Sequence, residues 1–196
     1  MDDIVRQALA KWPNVPHCTG WLLLDRRGDW RLRDDDAQAA GALGSPIRHA
    51  ALIGFIARNY ACDEHGQWFF QNGPQRVYVE LAYTPWIVRL AATDGRLALT
   101  DHTGRAFEPG EAWLDDAGGV LFSDAASPAR VAALHDHDLD LFADHADFDA
   151  TPPVLRWRAD AALPLATIAC ADVPAQFGFV ASPAERARDA AADGHD

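Results

Sequence analysis

Four separate stretches of this chain place an aspartate three residues ahead of a glycine: Asp25–Gly28, Asp63–Gly66, Asp101–Gly104 and Asp115–Gly118. Asp at the first position of a type I turn, with Gly supplying the positive φ that closes the bend, is hairpin chemistry. Each turn is followed by residues suited to a strand: Trp30-Arg31-Leu32, Trp68-Phe69-Phe70, Ala106-Phe107 and Val120-Leu121-Phe122. Asp94-Gly95 adds a further tight-turn signal. Punctuation of this kind predicts locally connected, mainly antiparallel β-structure. The middle of the chain is expected to form one meander of Gln67–Gln71, Arg76–Ala82, Trp86–Ala92 and Arg96–Thr100.

Helical spacing is confined to a few places. Asp2, Ile4, Val5, Ala8, Leu9 and Trp12 predict an N-terminal helix ended by Pro13 and Pro16. Ser45 as cap and Pro46 at the first helical position predict a second helix, Ile47 to Tyr60. Its centre, Ala50 to Ala57, has no polar side chain, so a buried helix covering the sheet is expected. Gly54 within it costs about 1 kcal/mol relative to Ala, and a close approach to the sheet would explain it. The octets Ser45–Leu52 and Ser127–Leu134 agree at six of eight positions. That agreement fits either duplication of a turn–strand–helix unit or repeated Ser-Pro helix-start chemistry in an alanine-rich chain. Val154–Arg158, Leu163–Ala169 and Phe177–Val180 read as further strands, with Pro152, Pro153, Pro164 and Pro174 at their edges or ends. Ser182 and Glu185 have capping-box spacing and predict a final helix, frayed from Asp189 onward, so His195 is no ligand candidate.

The expected fold is therefore α+β: two small β-rich subdomains with repeated turn–strand–helix motifs, each with a helix packed on its sheet. The expected organisation is a helix and Pro-rich link over 1–19, a first subdomain over 20–92, a second over 93–182 and a helical tail over 183–196.

Composition narrows the function. The 196 residues carry a formal net charge of −12, which excludes a general nucleic-acid binder. Residues 1–98 hold 11 acidic and 11 basic side chains, and residues 99–196 hold 18 and 6, so all the excess lies in the second half. Cys18, Cys62 and Cys170 are far apart and form no C-x-x-C pair, which fits reduced thiols. The acidic start, Met1-Asp2-Asp3, has no apolar signal region, and Ala50–Ala57 is too short to span a membrane. A cytoplasmic protein is expected.

The order D-x-x-G, Trp, Gly44-Ser45-Pro46-Ile47-Arg48, an apolar helix, Asp63-Glu64-His65-Gly66-Gln67-Trp68-Phe69-Phe70 and a two-strand hairpin resembles the bacterial family known as domain of unknown function 1285, over about residues 20–125. The resemblance implies two α+β subdomains built on repeated motifs, a signalling or ligand-sensing role and no established activity. It brings no catalytic motif, and the chain departs from the pattern after about residue 125.

Three sets of side chains bear on chemistry. Trp30 and Trp68 both follow D-x-x-G turns, where loops gather at one end of a sheet, and His49 and Arg76 would supply polar contacts to a pocket there. Packing of these indoles in the core is the competing reading. The His/Asp-rich run His135-Asp136-His137-Asp138, with His145, offers imidazole and carboxylate donors to a transition metal and hence a metal-dependent hydrolase; a solvated acidic segment is the plainer reading, and an acidic scaffold docking a basic partner follows from it. On a strand His135 and His137 share a face; the Ser-Pro-capped run before them predicts a helix instead. Cys62 and His65 lack a positioned third group, and there is no G-x-S-x-G, P-loop or dinucleotide glycine pattern. Glu80 is expected on the solvent face of its strand, opposite Arg89. No catalytic residue is assigned and no cofactor is expected. The leading expectation is a non-enzymatic module binding a small molecule or protein.

Overall fold

The structure, a computed structural model, describes residues 1–93, 96–158 and 161–193. The Asp94-Gly95 turn and His195 lie outside the described residues. The chain divides into two units, Met1–Asp25, Asp29–Tyr83 and Phe179–Asp196 on one side, Arg26–Gly28 and Thr84–Gly178 on the other.

In unit 1, helix α1 (Asp3–Lys11) precedes β1 (Cys18–Leu24), β2 (Trp30–Leu32), the short α2 (Asp35–Ala39) and β3 (Ser45–Pro46). Helix α3 (Ala50–Arg58), β4 (Tyr60–Cys62), β5 (Trp68–Asn72) and β6 (Gln75–Leu81) follow. Unit 2 holds β7 (Trp86–Thr93), β8 (Arg96–Asp101), β9 (Ala106–Phe107), β10 (Pro109–Asp115), β11 (Val120–Asp124) and β12 (Ser127–Leu134). A 3-10 turn, Asp136–Asp138, leads into α4 (Leu139–His145), β13 (Ala146–Asp147), β14 (Val154–Arg158) and β15 (Ala161–Ile168). A second 3-10 turn, Cys170–Asp172, opens onto α5 (Val173–Phe177); α6 (Pro183–Asp193) belongs to unit 1.

The sheet of unit 1 runs β3-β2-β1-β6-β5-β4, antiparallel except for the central β1–β6 pair. That of unit 2 runs β13-β14-β15-β10-β11-β12-β7-β8-β9, with parallel pairs β7–β12 and β10–β15. Read from its far end, β9-β8-β7-β12-β11-β10 repeats the order of unit 1, including the parallel pair at its centre. The topology is thus duplicated, but not in the frame of the two octets. Ser45-Pro46 forms the edge strand β3 and Ser127–Leu134 forms the interior strand β12, and these do not correspond.

The four D-x-x-G turns share one geometry. The glycines have φ of 77–84°, and each aspartate accepts the amide of the residue four ahead: Asp29 to Asp25, Gln67 to Asp63, Arg105 to Asp101 and Gly119 to Asp115. A carboxylate holding the far side of its own turn is the mechanism behind the sequence signal.

Several expectations are corrected. The meander does not form: β5–β6 and β7–β8 are hairpins of separate sheets, because β6 takes β1, and β7 takes β12, as its parallel neighbour. The division accordingly falls at Tyr83–Thr84 rather than after residue 92, so Trp86 belongs to unit 2. Residues 179–182 and the final helix return to unit 1, where the Leu81 amide donates to the Ala181 carbonyl at 2.8 Å and α6 packs on β1 and β6. Ser45 and Pro46 do not start the second helix. Gly44, at φ +77° with the Leu32 carbonyl 2.1 Å from where a Cβ would stand, turns them back beside β2, and His49 caps α3 instead. That helix is half-buried rather than sequestered: Ile56 is buried, Phe55 meets Phe70 edge-on at 5.4 Å, and Ala50, Ala51 and Leu52 are exposed. Gly54 makes no close approach to the sheet: outside its own helix backbone, the described atom nearest a Cβ there is in the Arg58 guanidinium. The strand expected over Phe177–Val180 does not form: Phe177 ends α5, and Gly178 in the left-handed conformation stops that helix. Helix α6 continues to Asp193, past the expected fraying point.

Candidate functional site

Unit 1 builds a pocket around its second D-x-x-G turn. Cys62 ends β4, Asp63, Glu64 and His65 form the turn, and Phe69, Arg76 and Tyr78 come from the facing strands β5 and β6. Together they line a cavity of about 360 Å³. The Asp63 carboxylate accepts amides from His65 and Gln67, both at 2.9 Å, and the Tyr78 hydroxyl at 3.1 Å. Burial works against its charge, but these donors prevail and hold the carboxyl below its usual range. His17 meets the Tyr78 ring edge-on at 5.8 Å. Arg76 lays its guanidinium over Phe69, 4.5 Å from the ring centroid, and makes no ion pair among the described residues. Burial, then the charge of Asp63, pushes the Cys62 thiol up to about 11, which makes it a poor nucleophile.

Of the four residues expected to form a site, Arg76 alone lines this cavity. Trp30 is 2% exposed, and Tyr60 joins it to half-buried Trp68, with ring centroids 5.2 and 4.8 Å away. His49 accepts the Leu52 amide through Nδ1 at 3.2 Å. Glu80 is corrected outright: it is buried, its carboxylate accepts the Ser182 hydroxyl and the Ala184 amide, and it thereby anchors α6. Arg89 pairs with Asp138 instead.

In unit 2 the His/Asp run is neither strand nor continuous helix. The His135 amide donates to Val88, and its Nδ1 caps the 3-10 turn by accepting the His137 amide at 3.1 Å. Asp138 is buried and accepts two hydrogen bonds from Arg89, at 2.7 and 2.9 Å, and one from the Leu90 amide. Arg89 accordingly holds the Asp138 carboxyl below its usual range, against the effect of burial. Asp136 is held by Arg27 through Oδ2 at 2.6 and 3.1 Å, while its Oδ1 lies 3.0 Å from His135 Nδ1. Donor atoms of His135, Asp136 and His137 all lie within 4.8 Å of one another. His145 stands outside this group, its Nδ1 bonded to the Leu141 carbonyl at 2.9 Å. Asp136, Asp138 and Asp147 each engage an arginine, so much of the acidic run is internally matched.

Sequence reasoning missed a second cavity, of about 380 Å³, lined by Leu114, Asp115, Asp116, Thr167, Ile168 and Ala169. It flanks the turn between β10 and β11, which in the duplicated topology corresponds to the turn between β4 and β5. Asp116 there accepts the Cys170 amide at 2.8 Å. The shared D-x-x-G followed by an acid at the second position, Glu64 and Asp116, was the available signal.

These features define an α+β protein of two β-rich units carrying one duplicated strand order, and no described helix is long and apolar enough to cross a membrane. Over residues 1–184 the chain matches the model of the family described as "Protein of unknown function (DUF2946)", and it belongs to that family. Its fold is similar to that of a DUF1285 family protein from Silicibacter pomeroyi, at 17% identity and a TM-score of 0.52, covering 86% of this chain and 97% of that one. The likeness to DUF1285 proteins therefore continues past residue 125 in structure. A DUF1285 family protein from Shewanella baltica is 14% identical, with a TM-score of 0.44, covering 64% of this chain and 91% of its own. No curated protein matches the sequence.

Proposed function

We propose that this protein is a non-enzymatic binding module whose unit 1 pocket takes a small zwitterion of amino-acid type, with regulation as its purpose. The observation that carries the reading is Arg76: a guanidinium held over the Phe69 ring, inside a cavity, with no carboxylate partner among the described residues. A guanidinium so fixed is ready for bidentate contact with a carboxylate. Glu64, exposed on the same rim, suits an ammonium group, and Phe69 and Tyr78 suit an apolar side chain. Binding rather than catalysis is favoured because the raised Cys62 thiol is unreactive and the Asp63 carboxylate is spent on its own turn. Trp30 and Trp68 then support the pocket-forming strands β4 and β5 through Tyr60.

A thermal-shift and tryptophan-fluorescence screen of amino acids and simple carboxylates tests this. Saturable binding is expected for a zwitterion, weakened at least tenfold in Arg76→Ala and unaltered in Arg96→Ala, an exposed arginine of unit 2. Binding untouched by Arg76→Ala, or turnover of a bound compound, would overturn the proposal.

A further inference from the structure

We infer that the 3-10 turn of unit 2 is a binding site for one divalent transition-metal ion of the borderline class, zinc, nickel or copper, held by His135, Asp136 and His137. Two imidazoles and a carboxylate are the donors such ions prefer over magnesium or calcium. Their placement is more than a sequence cluster. Asp136 Oδ1 stands 3.0 Å from His135 Nδ1, an approach that calls for a proton or a metal ion between them. A metal ion there takes the one Nδ1 lone pair, so the His137 amide gives up its 3.1 Å hydrogen bond to Nδ1 when the ion binds. A metal about 2.1 Å from each donor sets neighbouring donors about 3.0–3.4 Å apart, which the His135–Asp136 pair already satisfies. The third donor has to close from within 4.8 Å, and His137, being exposed, has the rotamer freedom to do so.

The scaffold under the three donors is fixed at both ends. The His135 amide is tied to the Val88 carbonyl at 2.9 Å, and Asp138, the next residue after the donors, is clamped by Arg89 and the Leu90 amide. Arg27 holds Asp136 through Oδ2 only, which leaves Oδ1 for the ion and orients it, as outer-shell partners of ligating carboxylates do. With three protein donors the ion keeps open positions for water. His145 is not one of the three, for the donor atoms that lie within 4.8 Å of one another are those of His135, Asp136 and His137.

Isothermal titration of the tag-free, chelator-treated full chain with zinc chloride, and with nickel chloride in parallel, tests the inference. One ion per chain at micromolar affinity is expected, with the His135 and His137 imidazole NMR signals shifted on binding. Asp136→Asn and His137→Ala, both at exposed positions, are expected to melt like the parent without metal and to bind at least tenfold more weakly; His145→Ala is expected to bind as the parent does. Absence of saturable binding below millimolar metal overturns the site, as does stoichiometric binding that survives both exposed variants. Equal loss in His145→Ala overturns the assignment of donors.

Discussion

Arg130 is the residue whose removal unit 2 should tolerate least. Its guanidinium bridges Asp101 and Asp124, and lies 4.3 Å from the Trp86 ring centroid and 4.8 Å from that of Phe107. The Arg130 side chain is 18% exposed and that of Asp101 wholly enclosed. Asp101 cannot turn outward to water, because its other oxygen accepts from the Thr103 amide and hydroxyl and the Arg105 amide. Arg130→Met keeps much of the apolar stem and strands two carboxylates. Breaking a buried pair from one side costs about 3–5 kcal/mol, chiefly the penalty of the charge left behind. Urea unfolding followed by circular dichroism and fluorescence should show the unit 2 transition moved by that amount with its slope unchanged. The decisive comparison is the double variant Arg130→Met, Asp101→Asn. If stranded charge is the cause, neutralising Asp101 recovers part of the loss while the amide oxygen still closes the turn. A double variant less stable than Arg130→Met, or a single-variant loss below about 1 kcal/mol, would refute the argument.

Two further outcomes follow from the same packing. His102 accepts the Ile87 amide, packs on Trp86, and is driven by burial to a pKa of about 4 from 6.5. The unfolded chain therefore binds its proton first, and stability contributed at neutral pH is lost as pH falls from about 6.5 to 4. The loss is about 3 kcal/mol at most, and His102→Gln should flatten that part of a stability–pH curve; an unchanged slope would contradict it. Gly118 and Gly44 both have positive φ, but a Cβ at Gly118 meets open space whereas one at Gly44 meets the Leu32 carbonyl at 2.1 Å. Gly118→Ala should cost about 1–2 kcal/mol of backbone strain, and Gly44→Ala clearly more, with β3 detached from β2 in amide exchange; equal losses would show that the close approach does not matter.

Turn chemistry was the legible level of this sequence. A carboxylate that closes its own bend needs only the residues within it, so all four D-x-x-G turns could be read directly, as could the hairpin β1–β2; strand β4 was hidden by the helix expected to run to Tyr60. What could not be read was which distant strands become neighbours. The parallel pairs β1–β6 and β7–β12 leave no local trace, and without them β5 to β8 looked like one meander. The same limit hid Glu80. Alternation placed it with Tyr78 on an outer face, but its acceptors are satisfied by residues 102 and 104 positions away. The Ser-Pro octets misled for a related reason: identical helix-start chemistry became an edge strand beside β2 and an interior strand beside β7. In the candidate sites, Arg76 and the histidine pair were visible as residue types. That Arg76 rests on Phe69, and that His145 is excluded from the His135 cluster, depends on packing that spacing does not encode.

The return of residues 179–193 to unit 1 sets an order of completion during synthesis. Ser182 and Ala184 emerge 102 and 104 residues after the Glu80 they satisfy, a delay of about 5–20 s at ordinary translation rates. Throughout that interval residues 84–178 of unit 2 are being made, while unit 1 waits with an acidic side chain on β6 and no donors for it. Unit 2, begun later, is finished first. The nascent chain thus carries an open, charge-bearing sheet face until the first turn of α6 arrives, and truncation just before residue 179 would leave that face permanently exposed.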